Sequence, residues 1–206
     1  MINFSGTKTG TNLKSAFAGE SKAQDRYACF AAKAKEEGHE DLARYFEETA
    51  VNEQEHAKIW LKLLEGISAG SEGNLKAAMK AAVGSEAGSA GPSRENLQAA
   101  INGESFETSE MYPSFAKTAR EEGFESIARL FDQVANIEQT HAEHFKTLLG
   151  KLASPAASPA APAVFPNKWK CRKCGNIVAA QSAPAICSVC ENGNAAGAAA
   201  FKQLAY

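Results

Sequence analysis

Residues 52–57 read NEQEHA and residues 137–142 read IEQTHA, so Glu53-x-x-His56 recurs as Glu138-x-x-His141 at an offset of 85 positions. Working outward, residues 27–64 align with residues 112–149 at that offset, and both copies carry YxxFA, EEGxE, ARxF, EQxHA and a final LL. Upstream, residues 12–21 (NLKSAFAGES) align with residues 96–105 (NLQAAINGES) at an offset of 84, and about half of all aligned positions are identical. A repeat of this length and fidelity is a duplicated structural unit.

Each copy reads as two helices. Leu13, Phe17, Glu20, Gln24, Tyr27, Ala31 and Ala34 step by alternating fours and threes, the spacing of one buried helical face. Leu42, Phe46, Ala50, Glu53, Ala57, Trp60 and Leu64 do the same. In the second copy the stripes run from Leu97 through Ile101, Glu104 and Tyr112 to Ala119, and from Ile127 through Phe131, Glu138 and His141 to Leu148. Gly38 and Gly123 end the first helix of each copy as left-handed caps, and Ser93 is the expected N-cap of the third helix. Residues 66–92 form a long crossover with one short helix expected near residues 75–83. The expected fold is mainly α: a ferritin-like four-helix bundle with one long crossover.

Composition narrows the function. The chain has 206 residues, with 22 basic and 24 acidic side chains and a formal charge of −2, a balance that argues against general nucleic-acid or membrane-surface binding. No apolar run reaches the roughly 18–20 residues that span a bilayer, and the polar first ten residues hold no secretory h-region. The expected location is the cytoplasm, with no nucleic-acid or membrane partner. Five cysteines in such a chain point to metal or redox chemistry.

Glu20, Glu53, Glu104 and Glu138 fall in the apolar stripes of all four helices. Burying an unpaired carboxylate costs several kcal/mol, and four together also repel one another. Cations remove both costs. Each ExxH sets a carboxylate and an imidazole one helical turn apart, and two such helices with two single-Glu helices make a dimetal carboxylate arrangement. Oxygen donors with two imidazoles suit iron or manganese above thiophilic metals. The copies differ at one point: Glu20 to Tyr27 spans seven residues and Glu104 to Tyr112 eight. One extra residue with no glycine in the interval predicts a π-bulge, and Glu107 within it is a candidate seventh ligand, where the first copy has Ala23.

The C-terminal part is different in kind. Residues 153–166 read ASPAASPAAPAVFP, an uncharged, proline-rich spacer, which sets domains at 1–152, 153–166 and 167–206. Beyond it, Cys171-x-x-Cys174 and Cys187-x-x-Cys190 have the spacing of a tetrahedral four-thiolate site, for which iron and zinc both qualify. Gly175 supplies the positive φ of a metal knuckle. Lys168, Lys170, Arg172 and Lys173 cluster nearby, and Cys29 reads as a packed free thiol.

With these motifs in place, the chain resembles the rubrerythrin family: a di-iron bundle joined to a C-terminal rubredoxin-like Fe(Cys)4 domain. The resemblance rests on GE, ExxH, GExxE, ExxH, WxCxxCG, APxxC and CxxC, and it covers residues 12–149 and 169–201. It implies an oxo- and carboxylate-bridged di-iron cofactor and iron on Cys171, Cys174, Cys187 and Cys190. One iron would take Glu20 and Glu53 and move between Glu107 and His56 with redox state. The other would take Glu104, Glu138 and His141, with Glu53 and Glu138 bridging. Tyr27 and Tyr112 would hydrogen-bond the ligands, and with Glu107 and His56 they form the expected catalytic set. The implied activity is reduction of hydrogen peroxide to water, in oxidative-stress defence, with electrons from a reductase or rubredoxin passing through the Fe(Cys)4 centre of a homodimer. The second knuckle departs from the family pattern, reading CSVCE without the usual proline, and Asn176 stands where an aromatic is common. Two other functions fit parts of the chain: a ferroxidase or iron-handling protein, and a zinc-binding interaction module.

Overall fold

Four helical runs form where the stripes predict them. The computed structural model describes residues 4, 6–65, 77, 81, 90–153, 164–193 and 200–205. Helix α1 spans Lys8–Glu36 and α2 spans Glu40–Glu65; the third run is α3 (Ser93–Phe106), a π-helical segment (Glu107–Met111) and α4 (Tyr112–Glu121), and α5 spans Glu125–Ala153. The Tyr112 N–H bonds Glu107 O, five residues back, so the extra residue between Glu104 and Tyr112 is absorbed as one wide turn. Most of the crossover, including the expected short helix near residues 75–83, lies outside the described residues, apart from Ala77 and Ala81.

The two copies clasp each other at their turns. Gly38 (φ 78°) and Gly123 (φ 82°) take the left-handed conformation, and each turn is a Schellman motif: His39 N bonds Ala34 O and Phe124 N bonds Ala119 O, both at 2.8 Å. The glutamate before each glycine then reaches the other copy. Glu122 accepts the Lys8 and Thr9 N–H groups at 2.9 and 2.8 Å, and Glu37 accepts Ser93 N–H at 3.0 Å. A carboxylate thus meets the positive end of each partner helix. This corrects the expectation for Ser93: the N-cap is Pro92, with no side-chain cap of its own. Glu37 supplies the acceptor, and the Asn96 side chain ties back to Gly91.

The core holds two large apolar clusters and a small third one of Ala57 and Leu61. One apolar cluster gathers Leu13, Trp60, Tyr112, Ile127 and Phe131; a second gathers Tyr27, Phe46, Leu97 and Phe145. Tyr27 and Tyr112 each carry a hydroxyl from their own cluster into a polar layer.

Strands β1 (Val164–Cys171), β2 (Ile177–Ala179) and β3 (Phe201–Ala205) form an antiparallel sheet in the order β2-β1-β3. Two spacer boundaries move. Ala153 still belongs to α5, and Val164–Pro166 already belong to β1, because Val164 pairs with Ala205. The register shifts between Val164 and Trp169, an irregular stretch where Pro166 is tolerated without its N–H. Residues 154–163 lie outside the described residues. Among the described residues, no helix is long and apolar enough to cross a membrane.

Candidate metal centre

Every bundle helix delivers its stripe glutamate to one layer. Glu20 comes from α1, Glu53 and His56 from α2, Glu104 from α3, and Glu138 and His141 from α5; all six are at most 2% exposed. They form two donor sets, Glu20–Glu53–His56–Glu138 and Glu53–Glu104–Glu138–His141, each with its ligand atoms within 4.8 Å of one another. Glu53 and Glu138 belong to both. Glu138 stands 2.9 Å from His56 Nδ1 through Oε1 and 2.7 Å from His141 Nδ1 through Oε2, one oxygen toward each side.

The residues fit a pair of cations on three grounds. Glu20 Oε2, Glu53 Oε1, Glu104 Oε2, both Glu138 oxygens and His141 Nδ1 are buried with no aligned hydrogen bond, an arrangement that costs about 1–3 kcal/mol per group or more for charged ones unless something else takes the lone pairs. The outer nitrogens of the imidazoles are engaged: His56 Nε2 meets Cys174 O at 2.9 Å and His141 Nε2 meets Asn52 Oδ1 at 3.2 Å. Both partners are acceptors, so each Nε2 carries a proton and each Nδ1 can turn a lone pair inward, the arrangement by which outer partners orient metal-binding histidines. Of the three remaining carboxylate oxygens, Glu53 Oε2 lies 2.9 Å from His56 Nδ1, and the other two are held crosswise between copies: Tyr27 donates to Glu104 Oε1 at 2.5 Å and Tyr112 donates to Glu20 Oε1. Trp60 Nε1 in turn donates to the Tyr112 hydroxyl at 3.2 Å.

Without cations the layer must hold protons. Burial, then the charges of Glu107, Glu138 and Glu53, pushes Glu20 well above the usual carboxylate range. Burial and Glu53 push Glu104 up to about 8. Burial alone would lower both imidazoles, but Glu138 and Glu53 outweigh it and raise them. Glu53 moves the other way, because His141 and His56 outweigh its burial. Groups with raised folded pKa values bind more protons than the unfolded chain, so their stabilisation fades as pH rises. The metal-free bundle should therefore lose stability from about pH 5 to pH 8, followed as Tm, whereas the metal-loaded bundle should not. Metal binding should release protons and tighten across the same interval, which titration calorimetry in buffers of different ionisation enthalpy measures.

Glu107 stands apart. It lies on the π-helical segment, half-buried, and belongs to neither donor set. Burial and the charges of Glu104, Glu138 and Glu53 keep its carboxyl well above the usual range, so it shares the field of the layer without joining the ligands.

The four C-terminal cysteines meet as one group. Cys171 Sγ lies 3.7 Å from Cys190 Sγ and Cys174 Sγ 3.5 Å from Cys187 Sγ, close to the ~3.8 Å edge of a tetrahedron with metal–sulfur bonds of about 2.3 Å. The knuckles are near copies. Gly175 N bonds Cys171 O, and Glu191 N bonds Cys187 O. Gly175 has the expected positive φ of 76°, and Glu191 takes the same role at 57°, at a backbone cost of roughly 1–2 kcal/mol for a residue with a Cβ. Asn176 and Asn192 each direct an amide at the first cysteine sulfur of the opposite knuckle, both at 3.7 Å. The basic cluster of the sequence is divided: Lys170 is buried and paired with Glu48, whereas Arg172 and Lys173 are exposed. Cys29 is half-buried and unbridged.

Sequence reasoning missed Asn52, which is fully buried and joins His141 to the four-thiolate module through Lys173 O at 2.6 Å. Its position next to Glu53 was the one available signal, but its partners come from α5 and from beyond the spacer.

A ferritin-like bundle with a shared-carboxylate dimetal layer and a rubredoxin-like four-thiolate group defines a class of non-haem iron proteins. The rubrerythrin family model matches residues 11–149. The chain is 38% identical to rubrerythrin of Porphyromonas gingivalis, covering 90% of this chain and 86% of that protein, and 37% identical to rubrerythrin of Nitratidesulfovibrio vulgaris, covering 92% and 93%. A structure of nigerythrin in its fully reduced, all-ferrous state superposes with a TM-score of 0.67 at 30% identity, covering 100% of this chain and 94% of that one. The chain belongs to the rubrerythrin family, and its cofactors are a carboxylate- and histidine-bound di-iron centre and an iron on four cysteines.

Proposed function

We propose that this protein reduces hydrogen peroxide to water at the di-iron centre, with electrons delivered through the thiolate-bound iron: one peroxide, two protons and two electrons give two waters. The observation that carries this reading is the bond from His56 Nε2 to Cys174 O at 2.9 Å, which joins a di-iron donor set directly to the thiolate knuckle. When bound, the paired iron supplies two electrons together and Lewis acidity to both oxygens, which avoids the radical a single ferrous ion releases. Glu20, Glu53, His56, Glu104, Glu138 and His141 would hold the pair, with Glu53 and Glu138 shared. Tyr27 and Tyr112 orient Glu104 and Glu20 through their hydroxyls. Burial and the charges of Glu104, Glu138 and Glu53 raise the Glu107 carboxyl, and Glu107 would exchange with His56 as a ligand when the charge of the centre changes. The chain's other expectations, a cytoplasmic homodimer reduced by a reductase or rubredoxin in oxidative-stress defence, belong to this reading.

A ferroxidase would need the bundle but gives no purpose to a thiolate module seated on it. Anaerobic titration of the fully reduced protein with peroxide tests the choice. Red Fe(III)-thiolate colour should return in proportion to added peroxide, without mineral formation under air. Peroxide that leaves the thiolate iron reduced would sink the reading.

A further inference from the structure

Helix α2 carries Glu48, Asn52 and His56 at successive intervals of four, which places them on one ridge, and each of the three touches the four-thiolate module. Glu48 receives Lys170 Nζ on Oε1 at 2.8 Å and Lys202 Nζ on Oε2 at 2.7 Å. Asn52 Nδ2 donates to Lys173 O at 2.6 Å, and His56 Nε2 meets Cys174 O. Because Asn52 Oδ1 also accepts from His141 Nε2, both imidazoles of the di-iron layer reach consecutive carbonyls of one knuckle, His56 directly and His141 through Asn52.

The seat is tight and electrically specific. A Cβ added to Gly175 would lie 2.8 Å from Asn52 Oδ1 and 3.2 Å from Ile137 Cγ2, so only glycine lets the knuckle approach this closely. Lys170 is 4% exposed, and a buried ammonium without its carboxylate is strongly unfavourable. Burial would raise the Glu48 carboxyl, but Lys170 and Lys202 outweigh it and hold it at about 2, so the carboxylate is charged throughout the neutral range.

We propose that Glu48 and Asn52 are positioning residues for electron entry: with His56 they form the ridge that seats the four-thiolate module and holds its first knuckle against both imidazoles. The proposal rests on the reading of the thiolate-bound iron as the electron source for the di-iron centre. Its two residues touch neither iron position. Glu48 holds the rim of the module through charge, and Asn52 fixes the knuckle backbone to the second imidazole.

The test uses the full-length chain with Glu48→Gln, Asn52→Ala, the double variant, and Glu48→Asp as the conservative rescue. In zinc-loaded protein, 15N relaxation compares the tumbling of residues 168–192 with that of α1 and α2. The wild-type module should move with the bundle and the double-variant module should tumble separately. In iron-loaded, fully reduced protein, stopped-flow mixing with peroxide follows di-iron oxidation and the return of thiolate colour as separate phases. Each single variant should slow colour return about tenfold, and the double variant about a hundredfold, the scale expected for a misplaced reacting group. Iron content and di-iron oxidation should remain at wild-type values in Glu48→Gln, and Glu48→Asp should recover most of the rate. Because Asn52 also holds His141 Nε2, the Asn52 variants are compared as colour return per di-iron centre loaded. Unchanged tumbling in the double variant, or colour return within about twofold of wild type, would overturn the proposal. Absence of colour return in the wild type would instead overturn the peroxidase reading, and the relaxation comparison would still decide whether the ridge is the seat.

Discussion

Glu138→Ala should empty both iron positions of the bundle while the thiolate iron stays, lowering iron from three per chain, one for each donor group, toward one. Glu138 addresses the His56 side with one oxygen and the His141 side with the other. Alanine therefore removes a donor from each set and also an anion that would balance both cations. Glu53→Ala should behave alike, because Glu53 is the other carboxylate common to both sets. Glu20→Ala and Glu104→Ala should differ in kind, each depleting one position, since each belongs to a single set. Loss of an outer partner alone commonly weakens a metal site about 10–100-fold, and loss of a shared ligand should exceed that at both positions. Iron quantitation with a visible spectrum of the same sample checks this. Retention of two or more irons in Glu138→Ala, with the red colour intact, would show that Glu138 does not bridge.

Glu107→Ala should leave all three irons in place and lower peroxide turnover by about two orders of magnitude, the scale on which a lost positioning group acts. The contrast follows from placement: Glu107 lies outside both donor sets yet within the field of Glu104, Glu138 and Glu53. Alanine is what the first copy carries at the equivalent spacing, as Ala23, which sits buried on an undisturbed helix, so the fold should accept the change. Steady-state turnover and iron content measured together separate the two roles. Wild-type turnover would remove Glu107 from the mechanism, and loss of one iron would make it a permanent ligand.

The duplicated stripe pattern carried most of the fold, because helical periodicity is local: a residue's face follows from its neighbours three and four positions away. Glu20, Glu53, Glu104 and Glu138 were conspicuous for the same reason, as charged groups in stripes that otherwise read as core. The eight-residue interval between Glu104 and Tyr112 was enough to locate the π segment, since an unbroken helix has nowhere else to put an extra residue. Ser93 misled because its cap is supplied by Glu37 of the other copy. The end of the spacer misled because Val164 becomes strand only by pairing with Ala205.

From the sequence alone came the four long helical runs, the two turns, the residues of the buried carboxylate layer and the four-thiolate group. Periodicity and short spacings encode these without reference to distant chain. The tertiary structure decided which residues meet across the copies: Tyr27 with Glu104, Tyr112 with Glu20, and Glu122 with the start of α1. It also set the four-thiolate module on the Glu48–Asn52–His56 ridge. Those contacts join groups far apart in the chain through hydrogen bonds and charge pairs. Their partners are chosen by how whole helices pack, a choice that no local period records.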